Sequence, residues 1–346
     1  MADRVKLAVA GAGLIGQRHI ERVLEEPTAE LSAIVDPSPA SRDLAGRLGT
    51  TWFEILERLL AEDRPDGLVV ATPNQIHVPN GLLAVAAGVP TLMEKPIADD
   101  VAEGSRLVQA AEAAGVPLLV GHHRRYNPMI QKAKEIVDSG RLGRVIAVHG
   151  HFWVTKPGEY YDVAWRREKG GGPVFLNLIH DVDLFRYLLG EVVSVQAQES
   201  NAVRGNAVEE TAVILLRFAS GALGSMTVSD CVAAPWSWEL TAGENPSFPQ
   251  QNEACYQIGG TLGSLTVPQL ELWSYSAKQS WLEPLVRERV PFTAEDPLKV
   301  QMRHFCDVIR GHAKPIVSGR EGLQTLKVIE AVKQAAGSGL PVAIGL

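Results

Sequence analysis

The chain has 346 residues, which at roughly 150 residues per domain corresponds to about two domains. Hydrophobic residues make up 46% of it and charged residues 21%, a composition typical of globular proteins that excludes wholesale disorder and collagen-like repeats. Its 33 basic and 40 acidic residues give a net charge of −7, which provides no general attraction to nucleic acid or to an anionic membrane. We therefore expect neither as a partner.

Nothing in the sequence indicates a targeting segment or a metal site. The longest stretch without charge, residues 67–93, is interrupted by three prolines, and the N-terminal apolar run leads into a glycine loop instead of a signal-peptide cleavage site. Cys231, Cys255 and Cys306 are widely spaced, as expected for reduced thiols, and no CxxC or HExxH pattern occurs. We expect a cytoplasmic protein without a metal ion.

The first 121 residues alternate short apolar segments with helix-like segments, which predicts a parallel sheet with helices on both faces. The apolar segments lack polar alternation, as expected for strands that are covered on both sides. Predicted strands are residues 7–10, 31–35, 67–71, 91–93 and 118–120. Predicted helices are residues 14–24, 40–48, 76–87 and 101–114.

After residue 121 the pattern changes. Residues 144–154 alternate with period two, which indicates a half-covered strand whose second face, with His149, His151 and Trp153, lines a cleft or an interface. Further strands at 192–198, 211–218 and 223–229 predict a largely antiparallel sheet. Helices at 298–309 and 320–336 close the chain. We place a domain boundary near residue 121.

A glycine loop follows the first predicted strand. Gly11, Gly13 and Gly16 in GAGLIG permit a tight turn, a close approach to a pyrophosphate and close helix packing, with the phosphates at the helix N-terminus. Asp36 ends the second strand, where its carboxylate can accept hydrogen bonds from ribose hydroxyls. The alternative is a glycine turn in another kind of α/β domain. We predict a dinucleotide site.

The same carboxylate favours NAD over NADP, because Asp36 would repel a ribose 2′-phosphate. Ser41 and Arg42 follow closely enough to leave NADP open as the cofactor.

Glu94, Lys95 and Pro96 end the fourth predicted strand, at the carboxyl edge where open α/β sheets bind ligands. A surface lysine is the alternative interpretation. With this segment the chain resembles the Gfo/Idh/MocA family of nicotinamide-dependent oxidoreductases. The motifs that carry the resemblance are GAGLIG, ATPNQIH (71–77), EKP (94–96), GHHRRYNP (121–128), AWR (164–166) and GGGPVFLNLIHDVD (170–183).

The resemblance implies an α/β fold with two domains. Residues 1–121 would form a Rossmann domain, and residues 122–346 an α/β domain built on a large, mostly antiparallel open sheet. Family members often oligomerise through that sheet, so we expect a homodimer or a homotetramer.

Lys95 would donate or accept a proton at the reacting hydroxyl or carbonyl, and the Lys95–Pro96 bond would be cis, as the resemblance implies. A desolvated lysine beside a positive nicotinamide loses its proton more readily, which suits this role. Candidate cofactor-binding residues, from the glycine loop and the resemblance together, are Gly11, Gly13, Leu14, Ile15, Gly16, Asp36, Ala71, Thr72, Asn74, His77, Glu94, Lys95, His123, Trp165 and Arg166.

The chain departs from the family pattern after the glycine triplet. Many sugar and cyclitol dehydrogenases of the family carry D-x-G-x-H here, but Leu176 stands four residues before His180, where the acid would be. The segment 175–189 reads as a helix on which Asn177, His180 and Asp183 share one polar stripe. Either the stripe is a hydrogen-bonded buried network, or His180 assists Lys95 while Asn177 and Asp183 bind substrate hydroxyls.

Arg124 and Arg125 offer guanidinium groups that can recognise a carboxylate on the substrate, and for either one a structural ion pair is at least as good an interpretation. Candidate catalytic residues are Lys95 and His180. Candidate substrate-binding residues are Lys95, His123, Arg124, Trp153, Asn177, His180 and Asp183.

The leading hypothesis is an NAD(P)-dependent dehydrogenase that acts on a secondary hydroxyl of a sugar, cyclitol, related polyol or hydroxy acid. Two alternatives stay open. One is a lyase that retains its cofactor and oxidises the substrate transiently, and the other is a non-catalytic NAD(P)-sensing regulator, for which the missing acid is the best support.

Overall fold

The structure is a computed structural model that describes residues 4–345. The chain divides into two compact units, the first made of residues up to 126 together with 295–326, and the second of residues 127–294 together with those from 327 onward. The two units are described in turn.

The first unit contains a six-stranded parallel sheet with the order β3-β2-β1-β4-β5-β6, the doubly wound order of the Rossmann fold. Its strands are β1 (Val5–Ala10), β2 (Ala29–Val35), β3 (Thr51–Phe53), β4 (Gly67–Val70), β5 (Thr91–Met93) and β6 (Leu118–Val120). The helices between these strands are α1 (Leu14–Glu25), α2 (Pro39–Leu48), α3 (Leu56–Glu62), α4 (His77–Ala86) and α5 (Val101–Ala114). The predicted parallel sheet is confirmed, and all of β4 is buried, as its unbroken apolar run indicated.

β3 and α3 were not predicted from the sequence. β3 has three residues, of which only Phe53 is buried, and α3 has seven, so neither is long enough to show a clear hydrophobic period.

The second unit is built on a nine-stranded sheet with the order β14-β13-β12-β11-β7-β10-β9-β8-β15. Its strands are β7 (Val145–Trp153), β8 (Val192–Ser200), β9 (Thr211–Phe218), β10 (Leu223–Ser229), β11 (Tyr256–Gly260), β12 (Gly263–Val267), β13 (Glu271–Tyr275), β14 (Leu285–Arg289) and β15 (Val342–Ala343). Its helices are α6 (Pro128–Asp138), α7 (Ile179–Leu189), which continues a π-helical turn (Val174–Leu178), and the short α8 (Trp238–Thr241). The last two helices of the chain are α9 (Pro297–Ile309) and α10 (Gly319–Ser338). Among the described strand pairs of this second sheet only β7–β10 is parallel, so the predicted fold class is confirmed.

Four of the helices with eight or more residues start at the same sequence signal, a short polar side chain that accepts a backbone N–H from the first turn. A proline directly after the capping residue, in α2, α6 and α9, already has the backbone angle that a helix requires. The capping residues are Ser38 (α2), Asp100 (α5), Asn127 (α6) and Asp296 (α9).

One face of the second sheet is covered by a core that includes residues of α6, α7 and the second half of α10. At its centre Gly150 of β7 leaves room for the Phe185 ring of α7, because a Cβ at Gly150 would lie 2.7 Å from that ring. Residues on the other face alternate with the core residues and stay open, and Leu215 is 52% exposed and Leu223 53%.

The structure differs from the predicted domain boundary. Residues 295–326 were expected in the second domain, but they pack on the first unit. Phe305 of α9 joins the core around β1, and the Val120 amide donates to the Val317 carbonyl at 3.0 Å beside β6. The helical pattern of this segment was visible in the sequence. The sequence did not indicate which of the two sheets its apolar face packs against.

Candidate active site

The three glycines of the loop after β1 have different roles. Gly11 has a φ of +90°, and a Cβ there would lie 2.4 Å from the Ala71 carbonyl oxygen. A Cβ at Gly16 would lie 1.9 Å from the Gly11 carbonyl oxygen. Around Gly13, in contrast, no described atom lies within 4 Å of a Cβ position. Gly11 and Gly16 therefore permit the close backbone packing within the loop and against Ala71. Gly13 leaves the surface next to the loop open.

The N-terminus of α1 faces this open surface. Gly13 is the N-cap residue, no side chain caps the helix, and its first turn contains no acidic residue. Leu14 is 89% exposed and Ile15 is half-buried. Uncapped N–H groups and the positive end of the helix dipole bind anionic groups. The loop therefore fits the pyrophosphate of a dinucleotide.

Asp36, directly after β2, is fixed against the glycine loop. Its carboxylate accepts the Ala12 amide at 2.8 Å and the Ser38 amide and hydroxyl at 2.8 and 2.6 Å. Burial raises the pKa of Asp36, but the hydrogen bonds from Ala12 and Ser38 outweigh burial and hold the pKa below its usual value. The group is therefore an oriented carboxylate at neutral pH.

Ser41 and Arg42, the residues that left the choice between NAD and NADP open, are engaged in contacts within the first unit. The Ser41 hydroxyl donates to the carbonyl oxygens of Asp36 and Ser38 at 3.0 and 2.6 Å. The Arg42 guanidinium lies over the Trp52 ring, 5.4 Å from its centroid, a cation–π contact.

His77 connects the loop after β4 to the lysine turn. Its Nδ1 lies 2.8 Å from the Pro96 carbonyl oxygen and its Nε2 lies 2.9 Å from the Thr72 carbonyl oxygen. Burial lowers the pKa of His77. Asn74 lies half-buried in the 3₁₀ turn before α4. His77 thus lies between the two loops, and its neutral ring donates a hydrogen bond to one of the two backbone carbonyls.

Glu94 is buried at the end of β5 and contacts a residue that the sequence reading missed. His19 Nε2 lies 2.7 Å from Glu94 Oε1, and the Lys95 amide donates to Glu94 Oε2 at 3.1 Å. A Cβ at Gly121 would lie 2.9 Å from Glu94 Oε1, so the glycine makes room for the carboxylate. The available signal for His19 was its place on α1, three residues after Gly16 and on the same side of the helix.

Burial raises the pKa of Glu94, but the hydrogen bond from His19 and the charges of His19, Lys95 and His123 outweigh burial and lower the pKa to about 2. Glu94 is thus an ionised carboxylate inside the protein, next to Lys95.

Lys95 is half-buried directly after Glu94, and the Lys95–Pro96 bond is cis. His123 is half-buried in a 3₁₀ turn after β6, and Arg124 is buried with 4% exposed. The neighbouring Arg125 forms an ion pair with Glu321 at 3.0 Å. Arg125 therefore forms a structural ion pair, which was one of the two interpretations for the arginines of this segment.

In the second unit, the predicted helix 175–189 exists and begins with the π-helical turn that carries Asn177. His180 and Asp183 are buried, with 8% and 1% exposed, and Asn177 is half-buried. Asn177 Oδ1 accepts a hydrogen bond of 2.8 Å from Lys156 Nζ. Lys156 was missed by the sequence reading. The only available signal was its position just after the alternating strand.

Glu209 supports the glycine triplet before this helix. Its Oε1 accepts the Val174 amide at 3.0 Å, and its Oε2 accepts from Lys333 Nζ at 2.6 Å. A Cβ at Gly172 would lie 2.2 Å from Glu209 Oε1. The triplet thus admits a carboxylate that orients the start of the helix.

Trp153 lies apart from the polar stripe of α7. Its ring stacks edge-on with His151 and Trp236, with centroid distances of 5.0 and 5.6 Å, on the sheet face opposite to the one where Gly150 meets Phe185 of α7. The structure therefore does not bring Trp153 together with Asn177 and His180, and we leave Trp153 out of the substrate site. The alternation identified the two faces, but not which face the helix covers.

Trp165 and Arg166 lie on a 3₁₀ turn. Trp165 is 49% exposed, and the Arg166 guanidinium lies 4.1 Å from the centroid of the Tyr160 ring and donates to the Tyr160 carbonyl at 2.8 Å.

Among residues 4–345, no group of three or more His, Cys, Asp or Glu side chains is placed to hold a metal ion. Within the same part of the chain, each helix is too short or too polar to cross a membrane.

A doubly wound sheet with an open glycine loop and an oriented carboxylate after β2 defines an NAD-binding Rossmann domain, here joined to a second unit with a large sheet. The chain belongs to the Gfo/Idh/MocA family of oxidoreductases. Residues 5–122 match the oxidoreductase family with an NAD-binding Rossmann fold, and residues 130–266 match the GFO/IDH/MocA C-terminal domain.

Individual relatives agree with this assignment. The chain is 26% identical to the rhizopine catabolism protein MocA of Rhizobium meliloti, over 96% of this chain and 95% of the relative. It is 29% identical to D-apiose dehydrogenase of Paraburkholderia graminis, over 98% and 89%. Among solved structures, WlbA dehydrogenase of Bordetella pertussis in complex with NADH and UDP-GlcNAcA is 28% identical, covers 99% of both chains and has a TM-score of 0.79.

The open surface at Gly13 gives a test of the cofactor site. Gly13 has a φ of −71°, so Gly13→Ala introduces neither a clash nor backbone strain. We expect it to melt like the wild type but to bind NADH about tenfold more weakly, because the methyl group occupies the pyrophosphate position. Gly16→Ala is the comparison and should lower the melting temperature as well. Equal NADH affinity of Gly13→Ala and the wild type, measured by fluorescence titration, would contradict this assignment.

The buried Glu94 carboxylate predicts a pH-dependent contribution to stability. Its folded pKa of about 2 lies below the unfolded value, so the contribution is complete above about pH 4.5 and is lost as the pH falls towards 2. Glu94→Gln should lower the free energy of unfolding by about 3 kcal/mol at pH 7. In urea titrations this deficit should shrink below pH 4.5, whereas Glu62→Gln, at an exposed ion pair with Arg58, should show no comparable deficit. A deficit that stays constant down to pH 3 argues against the pairing.

Proposed function

We propose that the protein is an NAD-dependent dehydrogenase that oxidises a secondary hydroxyl of a sugar, cyclitol, related polyol or hydroxy acid. The observation that carries the proposal is the placement of Lys95. It follows the buried Glu94 at the carboxyl end of β5, in the same unit as the open glycine loop. The names of relatives such as D-apiose dehydrogenase support the substrate class.

When bound, nicotinamide supplies the hydride acceptor. The residues Gly11, Gly13, Gly16 and Asp36 would hold the dinucleotide. Lys95 takes the proton from the reacting hydroxyl in the oxidation and returns it in the reverse direction. The bonds from His19 to Glu94 and from His77 to Pro96 fix the backbone on both sides of Lys95, so that its side-chain amine approaches the substrate in one orientation.

The second unit supplies the substrate contacts in this proposal. His180 and Asp183 are buried on one face of α7, and Asn177 precedes them on the π-helical turn. In this proposal His180 stabilises the developing alkoxide, while Asn177 and Asp183 bind other oxygens of the substrate. Leu176 provides no carboxylate, so the proton acceptor is Lys95 itself.

We propose NAD as the preferred cofactor. The ionised Asp36 repels a 2′-phosphate, and the groups that would favour one, Ser41 and Arg42, are engaged with backbone carbonyls and with Trp52.

Removal of the reactive amine tests the function. Lys95→Met should reduce kcat by about 10²- to 10⁴-fold for whichever polyol is oxidised, because no other group takes the hydroxyl proton. Affinity for NADH should stay within about threefold of the wild type. Lys278→Met, at an exposed lysine, is the control and should retain full kcat. Activity is followed as NADH formation with a panel of polyols and hydroxy acids. Normal turnover by Lys95→Met, or product without NADH, would contradict the proposal.

We also propose that the protein is a cytoplasmic homodimer or homotetramer without a nucleic-acid or membrane partner. Cys231, Cys255 and Cys306 are thiols that form no disulfide with one another, which suits a reducing compartment. The open face of the second sheet, with Leu215 and Leu223 half exposed, is the expected contact between subunits.

A charge on that face tests the assembly. Leu215→Glu should dissociate the oligomer in sedimentation velocity experiments, because a carboxylate would be buried in the contact. Its melting curve at low protein concentration should match that of the wild type, since Leu215 lies outside the core. A wild-type protein that sediments as a monomer, or a Leu215→Glu variant with unchanged assembly, would contradict this contact.

A further inference from the structure

Lys156 is a largely buried cation that the proposed reaction does not use. It follows β7, and its side chain is only 11% exposed. Its Nζ donates to Asn177 Oδ1 at 2.8 Å, lies 3.5 Å from Asp230 Oδ2 and is 4.8 Å from the centroid of the Tyr160 ring. A buried lysine requires partners for its charge, so the identity of these partners determines what else it can bind.

The contact with Lys156 fixes the amide orientation of Asn177. An ammonium group has three hydrogen-bond donors and no acceptor. Asn177 must therefore turn its carbonyl oxygen Oδ1 to Lys156, and its NH₂ group points away from the lysine. Within residues 4–345 this NH₂ group has no hydrogen-bond acceptor. A ligand that reaches Asn177 consequently meets a donor.

The Asp230 carboxylate is shared among several donors and only partly compensates Lys156. Arg204 Nη1 donates to Asp230 Oδ1 at 2.5 Å, and the Tyr161 hydroxyl donates to Oδ2. Burial lowers the pKa of Lys156, and the charges of Asp230 and the more distant Glu239 only partly oppose this effect. An added anion would therefore stabilise the ammonium form of Lys156.

The residue next to Asn177 in the chain adds no charge. Leu176 directly precedes Asn177 on the π-helical turn and is half-buried. An apolar side chain at this position does not repel an anion, as a carboxylate would.

We infer that Lys156 and Asn177 form a donor-only subsite that binds a carboxylate group of the substrate. One carboxylate oxygen would accept from the Lys156 ammonium and the other from the Asn177 NH₂ group, a charge-assisted pair of hydrogen bonds. The substrate class is then a polyhydroxy acid, an aldonate or uronate, in preference to a neutral polyol. This inference rests on the proposed function, because it places the substrate at Asn177.

Equilibrium binding tests the subsite without the need for turnover. The full-length protein, saturated with NADH, is titrated by calorimetry with D-gluconate against D-glucitol and with D-glucuronate against D-glucose. At least one acid should bind about tenfold more tightly than its neutral counterpart. Lys156→Met should remove that advantage and leave the affinity for the neutral compound within about threefold. Equal affinities in both pairs, no binding of either acid, or an advantage that survives Lys156→Met would each overturn the inference.

Two further variants distinguish a loss of the carboxylate subsite from a loss of acid binding that is caused by misfolding. Lys156→Arg keeps a cation with donors only and should retain most of the preference for the acid. Asn177→Asp replaces the donor by a carboxylate that pairs with Lys156, and it should weaken binding of the acid about tenfold even if Lys156→Met does not fold. The exposed Lys278→Met is the matched charge control. An unchanged acid preference in Asn177→Asp contradicts the subsite.

The same titrations separate the two proposals. If an acid binds in a Lys156-dependent way, but no compound yields NADH when it is incubated with NAD, the result supports the subsite and contradicts the dehydrogenase function. NADH formed only from neutral polyols, with kcat/KM unaffected by Lys156→Met, supports the dehydrogenase and overturns the subsite. A D-glucose 6-phosphate affinity above that of both acids would overturn the assignment to a carboxylate.

Discussion

The buried contact between His19 and Glu94 is the interaction on which the site of the first unit depends. An ionised carboxylate inside a protein is costly unless it is paired, so this contact fixes α1 relative to the end of β5. The glycine loop precedes α1, and Lys95 follows β5. The place for the cofactor and the reactive amine are thus joined by a single pair of side chains. His77 adds a second connection through the Pro96 carbonyl.

The second unit uses the same principle at the start of its central helix. Glu209 is buried against Gly172 and is held by Lys333 of α10, and it accepts the Val174 amide at the beginning of the π-helical turn. π-helical turns are rare and often occur at functional sites. Here the turn carries Asn177, the residue whose amide orientation Lys156 determines. In both units a buried carboxylate orients the segment that carries the polar site residues.

Local patterns were sufficient to predict the parallel sheet, the glycine loop and Asp36, because unbroken apolar runs and glycine spacing are properties of neighbouring residues. His19, Lys156 and Glu209 were missed, because each acts on a partner that lies far away in sequence. The alternation in β7 gave both faces correctly, but the covered face depends on Phe185 and Gly150, which only the fold brings together. The helix at 298–309 was predicted, whereas its return to the first unit rests on packing around Phe305.

The Lys156–Asn177 contact has a consequence for how such a protein can change. The polarity of an asparagine amide is set by its neighbour, so exchanging the residue at position 156 for an acceptor would reverse which end of Asn177 faces outward. Lys95, His19 and Glu94 belong to the other unit and would keep their contacts through such an exchange. The preference for a charged or a neutral ligand can therefore drift by single substitutions in one unit, while the chemistry encoded in the other is inherited unchanged.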